Sequence, residues 1–255
     1  MTGNGLVLVH GLVVDHDADP SADLEQVRVR RASAVAEHGA ASGIRRYEWI
    51  DGGRKALANR MLRTLRGTAR AVDAAEIVEL DDEMLRAALA APALRICLEN
   101  LAGCAPYGLD PARSFVVVGT PRLLLDGPRT GQRILWFGVG VEHLGESAFI
   151  EHYTEHHGPL FAGHAPLVGL RRYTQVPDEQ RELGDALREL GLGHAPSPSV
   201  FAELYSGRPS LDPRSLRAQR AALKEIRDDE RRHIDFERSM LLLAETGRPT
   251  RESTP

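Results

Sequence analysis

The feature that most constrains how this chain can fold is an internal repetition. Residues 43–47 read GIRRY and residues 169–173 read GLRRY, an offset of 126 residues, and the two pentapeptides differ at one apolar position. At the same offset the apolar run LVHGLVV at 8–14 falls on ILWFGVG at 134–140. Further along, AEIVEL at 75–80 answers VFAEL at 200–204, and the run at 115–125 answers the one near 240–244. Four segments recurring in the same order point to two copies of one supersecondary unit.

Each copy reads as an apolar strand, an amphipathic helix, a strand carrying the RRY pattern, a connection, a strand, a helix and a last strand. In the second copy the predicted strands are 133–142, 169–176, 199–206 and 237–245, and the predicted helices are 147–162 and 212–229, with a helical or irregular connection over 178–191. This βαββαβ order is the ferredoxin-like unit, an antiparallel sheet with helices on one face and the other face in need of a partner. The expected class is therefore α+β: tandem ferredoxin-like repeats closing into an intramolecular α+β barrel. Residues 1–126 form the first repeat, 133–246 the second and 247–255 a disordered tail, with the glycines and proline near 127–133 as the linker.

A composition of 42% hydrophobic and 27% charged residues with net charge −4 is that of a folded globular protein. Acidic residues lie among most of the arginine clusters, so no basic stripe for nucleic acid emerges. The N-terminal apolar run lacks a basic lead and is broken by His10, Asp15, His16 and Asp17, which argues against a signal peptide or a membrane span. Cys97 and Cys104 match neither a redox pair nor a zinc pattern and read as reduced thiols, so a cytoplasmic location is expected.

Candidate chemistry concentrates in FIEHYTEHHGPL, residues 149–160. On a 3.6-residue period Phe149, His152, Tyr153, His156, His157 and Leu160 share one side, which places imidazoles on the apolar face. His152 and His156 stand i, i+4, the spacing of two ligands to one metal, but no HExxH glutamate or third ligand accompanies them, and no metal is assigned. Arg171 and Tyr173 are expected to alternate onto one strand face and to hold a substrate carboxylate or enolate, although GIRRY recurs in a half without HGPL, which favours a structural role. Trp136, equivalent to His10 at the offset, and His164, before Ala165-Pro166, are further candidates for the pocket wall. Neither a phosphate loop nor a nucleophile elbow is present.

The HGPL stretch followed by GLRRY resembles the EthD family of the dimeric α+β barrel superfamily, over roughly residues 133–245. At the offset His157 corresponds to Arg31, so the first half lacks the motif and reads as a degenerate copy. The resemblance implies small-molecule chemistry on carbonyl or polyketide-like compounds in specialised metabolism, usually without a bound cofactor. It leads to a cyclase, dehydratase or isomerase with catalytic His157, His152, Tyr153 and His156, and with Arg171, Tyr173, Phe149, Trp136 and His164 around the substrate. In this reading His157 moves the proton, Tyr153 or His152 stabilises an enolate, and the barrel interior encloses the substrate. Two alternatives remain open: oxygen chemistry, cofactor-free or with haem on His152, His156 or His157, and a metabolite binder without catalysis. The pseudo-dimer satisfies both sheets within one chain, and further association into a homodimer is left open.

Overall fold

The computed structural model describes residues 5–14, 20–38, 44–52, 55–68, 71–81, 83, 86–87, 109–207 and 212–244. Both cysteines, His16 and the expected C-terminal tail lie outside these residues. Strands β1 (Gly5–Leu12), β2 (Ile44–Asp51), β3 (Ala74–Asp81) and β4 (Phe115–Gly119) form one antiparallel sheet in the order β2-β3-β1-β4. Strands β5 (Arg122–Leu125), β6 (Gln132–Gly138), β7 (Leu170–Pro177), β8 (Val200–Ser206) and β9 (Met240–Ala244) form the second, in the order β5-β7-β8-β6-β9. Apart from β5, the two orders are the same when each strand is shifted by the repeat offset. The class is α+β, as expected. β5 is an addition the sequence did not announce: the run at 115–125 breaks at Thr120-Pro121, and its second part pairs with the edge of β7.

Strand alternation explains how the sheets meet. Val7 and Val9 on β1 point to one face and Leu6 and Leu8 to the other, and all four are buried. The inward sets of both sheets merge into one core containing Val7, Val9, Ile77, Val117, Leu135 and Leu242. Phe115 and Phe201 flank Phe137 within it, with ring centroids 5.0 and 5.3 Å from it. One end of this interior carries charge: Arg133 pairs with Glu48 of the other sheet and with Glu203, and Tyr205 donates to Glu203 at 2.9 Å. The barrel interior is thus filled by side chains, and the expectation that it encloses the substrate is corrected. Aromatic rings from both sheets meet across it.

The outward faces are covered by helices α1 (Pro20–His38), α2 (Ala56–Arg66), α3 (Glu146–His152), α4 (Gly158–Gly163), α5 (Ala165–Val168), α6 (Arg181–Glu189) and α7 (Pro213–His233). Two of them cross between the sheets. Leu183 and Leu187 of α6 pack on Leu6, Leu8, Val116 and Val118 of the first sheet. Leu62 of α2 packs on the outer cluster of the second, where the Asn59 side chain accepts from the Leu243 amide at 2.6 Å and donates to its carbonyl at 3.1 Å. Asn59 so completes the open edge of β9 much as another strand would.

Candidate functional site

The motif segment begins as α3 but does not continue as a plain α-helix. Tyr153–His157 is a π-helical turn, and the Gly158 amide returns to the Tyr153 carbonyl. Pro159, at the start of α4, has no amide to offer the carbonyl four residues back, which suits the wider turn. Gly158 serves a different purpose: a Cβ there would stand 2.5 Å from Leu124 and 2.7 Å from the Gln175 amide nitrogen, so any other residue makes these side-chain ends shift for the helix to lie this close to β5 and β7. The HGPL signature is therefore a packing device as well as a carrier of histidine.

The wider turn changes which side chains share a face. With about five residues closing the turn, His157 comes onto the side of His152 that faces α7, while the His156 ring stays 5.4 Å from that of His152. His152 and His157 reach the same carboxylate on α7: His152 Nε2 lies 2.9 Å from Asp229 Oδ1, and His157 Nδ1 lies 2.8 Å from Asp229 Oδ2. Burial works to raise the Asp229 carboxyl, but hydrogen bonds and charge from His157 and His152 outweigh it and hold it at about 2. An ionised carboxylate can only accept, so it fixes the proton of His157 on Nδ1 and leaves Nε2 as the basic nitrogen. Burial, helped by the neighbouring His233 and His156, depresses the His152 imidazole despite the opposing pull of Asp229.

His157 is buried at 5% exposure, with the Tyr153 ring 4.8 Å and the Phe161 ring 6.0 Å from its own. Tyr153 and Tyr173 are buried side by side, and burial pushes both phenols well above their ordinary value, so they serve as donors. Gln175 donates to the Tyr173 hydroxyl at 2.7 Å and to the Tyr153 carbonyl at 3.2 Å.

Other expected residues fall elsewhere. His156 is exposed, which corrects its placement on the apolar face, although its ring lies 5.4 Å from that of His152 as the i, i+4 spacing expects. Arg171 is exposed and donates to Thr130 at 3.1 Å, because a bulge between Leu170 and Arg172 breaks the alternation that would have put it beside Tyr173. His164 joins α4 to α5 and pairs with Glu225 at 3.0 Å. Phe149 and Trp136 belong to the apolar cluster under the helices, where Trp136 meets Phe236 edge-on at 5.9 Å.

A cavity of about 670 Å³ opens beside this group, between α2, α7 and the outer face of the second sheet. Ile134, Leu204, Phe161, Leu223, Ile226 and Phe236 give it an apolar lining, and Arg66, Arg227, Glu230 and Arg231 stand with them. Glu230 is buried and pairs with Arg66 at 2.9 Å. His157 does not line the cavity; Phe161 does, and its ring lies over His157. A second, polar groove of about 1000 Å³ between α3 and α6 is lined by Glu151, Glu155, Asp178 and Arg181 among others. Sequence reasoning missed Asp229, Glu230, Arg66 and Gln175. The one available signal was the acidic run before RRH in DDERRH at 228–233, near the end of a predicted helix.

His152, Asp229 and His233 also offer three atoms within 4.8 Å of one another. The two imidazoles are stacked, with centroids 3.4 Å apart and planes at 15°, and His233 Nδ1 is bonded to the Asp229 carbonyl at 2.9 Å. Lone pairs lie in the ring plane, so parallel rings cannot both point at one ion in this arrangement. Among the described residues, neither of these two cavities is lined by a histidine that could supply haem with an axial nitrogen.

Residues 142–237 match the EthD domain, as the HGPL resemblance implied, and the match spans the π-turn and α7 with Asp229. No curated protein matches the sequence. Among solved structures, a mutant chlorite dismutase from Candidatus Nitrospira defluvii in complex with cyanide is 11% identical, with 96% of this chain and 92% of that one covered and a TM-score of 0.48. A haem-binding protein from Thermus thermophilus is 14% identical, over 95% and 90% of the two chains, with a TM-score of 0.45. A dimeric ferredoxin-like protein from Thermobifida fusca is 20% identical over 47% of this chain and 93% of its own, with a TM-score of 0.30. At these scores the likenesses carry no inference about chemistry. Among the described residues no helix is long and apolar enough to cross a membrane.

Proposed function

We propose that the protein is a small-molecule enzyme of the cyclase, dehydratase or isomerase kind, working in the cytoplasm on an apolar carbonyl compound such as a polyketide-like intermediate. The observation that carries this reading is the contact between Nδ1 of the buried His157 and Asp229, with the Phe161 ring that covers this imidazole lining an apolar cavity. His157 takes a proton from a carbon beside the carbonyl, and Asp229 steadies the imidazolium that results. The buried tyrosine hydroxyls supply hydrogen bonds to the enolate oxygen. Substrate reaches Nε2 when the Phe161 ring turns aside, and water is kept out by α2 and α7. No step requires a metal or a cofactor.

The test uses 2-tetralone, a compact enolisable ketone, with deuterium exchange beside its carbonyl followed by NMR. The protein is expected to accelerate exchange, and His157→Gln to lower the rate by roughly 10²- to 10⁴-fold, the usual worth of a positioned proton-transfer group. Undiminished exchange in a folded His157→Gln protein sinks the assignment. Phe161→Ala is expected to raise the exchange rate, because it removes the ring between the cavity and the imidazole.

A further inference from the structure

The cavity has a property that proton transfer alone does not explain. Its lining is apolar, yet three arginines stand around it, Arg66 from α2 and Arg227 and Arg231 from α7, against one glutamate. Arg66 and Glu230 are paired with each other. Arg227 and Arg231 are exposed, and among the described residues neither has a carboxylate within ion-pairing distance. They stand i, i+4 on one helix, an arrangement of like charges that an anion between them would relieve. Apolar area beneath and exposed guanidinium groups without a close ion-pair partner above are the two halves of a recognition site for an amphiphile.

We infer that the cavity binds an amphiphilic carboxylate, a compound with an apolar body that fits among Ile134, Leu204 and Phe236 and a carboxylate head held by Arg227 and Arg231. This rests on the reading of the cavity as the substrate site and narrows its substrate class to acids. The body excludes water from the lining, and the head accepts charge-assisted hydrogen bonds at the mouth, which orients the rest of the molecule inward toward Phe161 and the histidine behind it. Guanidinium suits this task better than ammonium, because its planar fork matches both carboxylate oxygens.

The experiment is calorimetric titration of the full-length protein with 2-naphthoate, its neutral counterpart 2-naphthamide, and acetate. Naphthoate is expected to bind about tenfold or more tightly than naphthamide, the size of a charge-assisted hydrogen bond, and acetate to give no saturable heat. In the Arg227→Gln/Arg231→Gln protein, with folding checked by circular dichroism, naphthoate is expected to fall to the affinity of naphthamide while naphthamide is unchanged. Equal affinities for acid and amide, no binding of naphthoate, or full retention of naphthoate affinity by the double variant would each overturn the inference. Binding is measured without turnover, so a failed role for His157 does not disturb this result, and a failed anion preference does not disturb the exchange assay.

Discussion

The helix-covered faces of the two sheets occupy equivalent places and have been put to opposite uses. At the repeat offset His10, Arg31, Tyr47 and Glu76 correspond to Trp136, His157, Tyr173 and Ala202. In the first sheet these positions form a buried polar knot. Arg31 bonds Glu76, the Tyr47 hydroxyl donates to Glu76 at 2.8 Å, and His10 Nδ1 lies 3.2 Å from Glu76 and 3.0 Å from Arg31. In the second sheet the glutamate has become alanine, the arginine has become the histidine that faces Asp229, and a cavity opens alongside. The first face is closed by its knot, whereas the second, with Ala202 where the first has Glu76, carries its charge on α2 and α7 and leaves a cavity.

The comparison can be broken most directly at Arg31. Arg31→Met leaves Glu76 buried without its cation, with an expected loss of about 3–5 kcal/mol in urea unfolding, and Arg31→Met/Glu76→Leu is expected to recover most of it. If Arg31→Met alone is neutral, the knot does not hold the first face shut.

Next in size is a pH effect at the seam between the sheets, where Asp178 accepts from the Val118 amide. Burial raises its carboxyl from 3.8 to about 6, so its contribution is complete below pH 3.8 and is lost as pH rises through 6. The gap corresponds to about 3 kcal/mol, and Asp178→Asn is expected to remove that dependence from a stability profile between pH 4 and 7. Asp229 has the opposite sign: depressed to about 2, it stabilises above pH 3.8 and ceases to do so as pH falls through 2, so Asp229→Asn flattens only the acid limb.

A smaller effect sharpens the role of the HGPL glycine. Gly158→Ala forces a methyl against Leu124 and Gln175 and is expected to cost about 1–3 kcal/mol by thermal unfolding. The smallest expected effect belongs to Arg171→Ala, within about 0.5 kcal/mol and without change in tetralone exchange, as suits an exposed side chain that donates to Thr130. Loss of exchange in that variant would restore the strand-face reading of GLRRY.

Much of the second half was legible in the chain, because alternation and amphipathic period survive folding: the predicted strand at 199–206 is β8 at Val200–Ser206, and the predicted helix at 212–229 is α7 at Pro213–His233. The errors occur where a local rule meets a tertiary constraint. A uniform 3.6-residue period placed His156 on the apolar face beside His152; the two rings do lie 5.4 Å apart, but His156 is exposed, and it is His157 that shares Asp229 with His152. Strict alternation paired Arg171 with Tyr173, and the bulge separated them. Asp229 was invisible for another reason: it meets His157 across 72 residues of chain, and nothing local to DDERRH says which of its acids faces inward. The cavity was likewise misplaced into the barrel, because period-two patterning marks both faces of these strands as apolar and does not say which one is covered by helices that leave a gap.

The exchange of α2 and α6 between the sheets has a consequence for how such a chain can be taken apart. A cut in the backbone between β5 and β6 would leave two fragments still clasped, each holding a helix that the other uses as a roof. Expressed alone, the EthD-matching segment would lose α2, and with it Leu62, Leu65 and Arg66 from the cavity wall. The half without the motif is thus a resident cosubunit, joined covalently to the partner whose cavity it roofs.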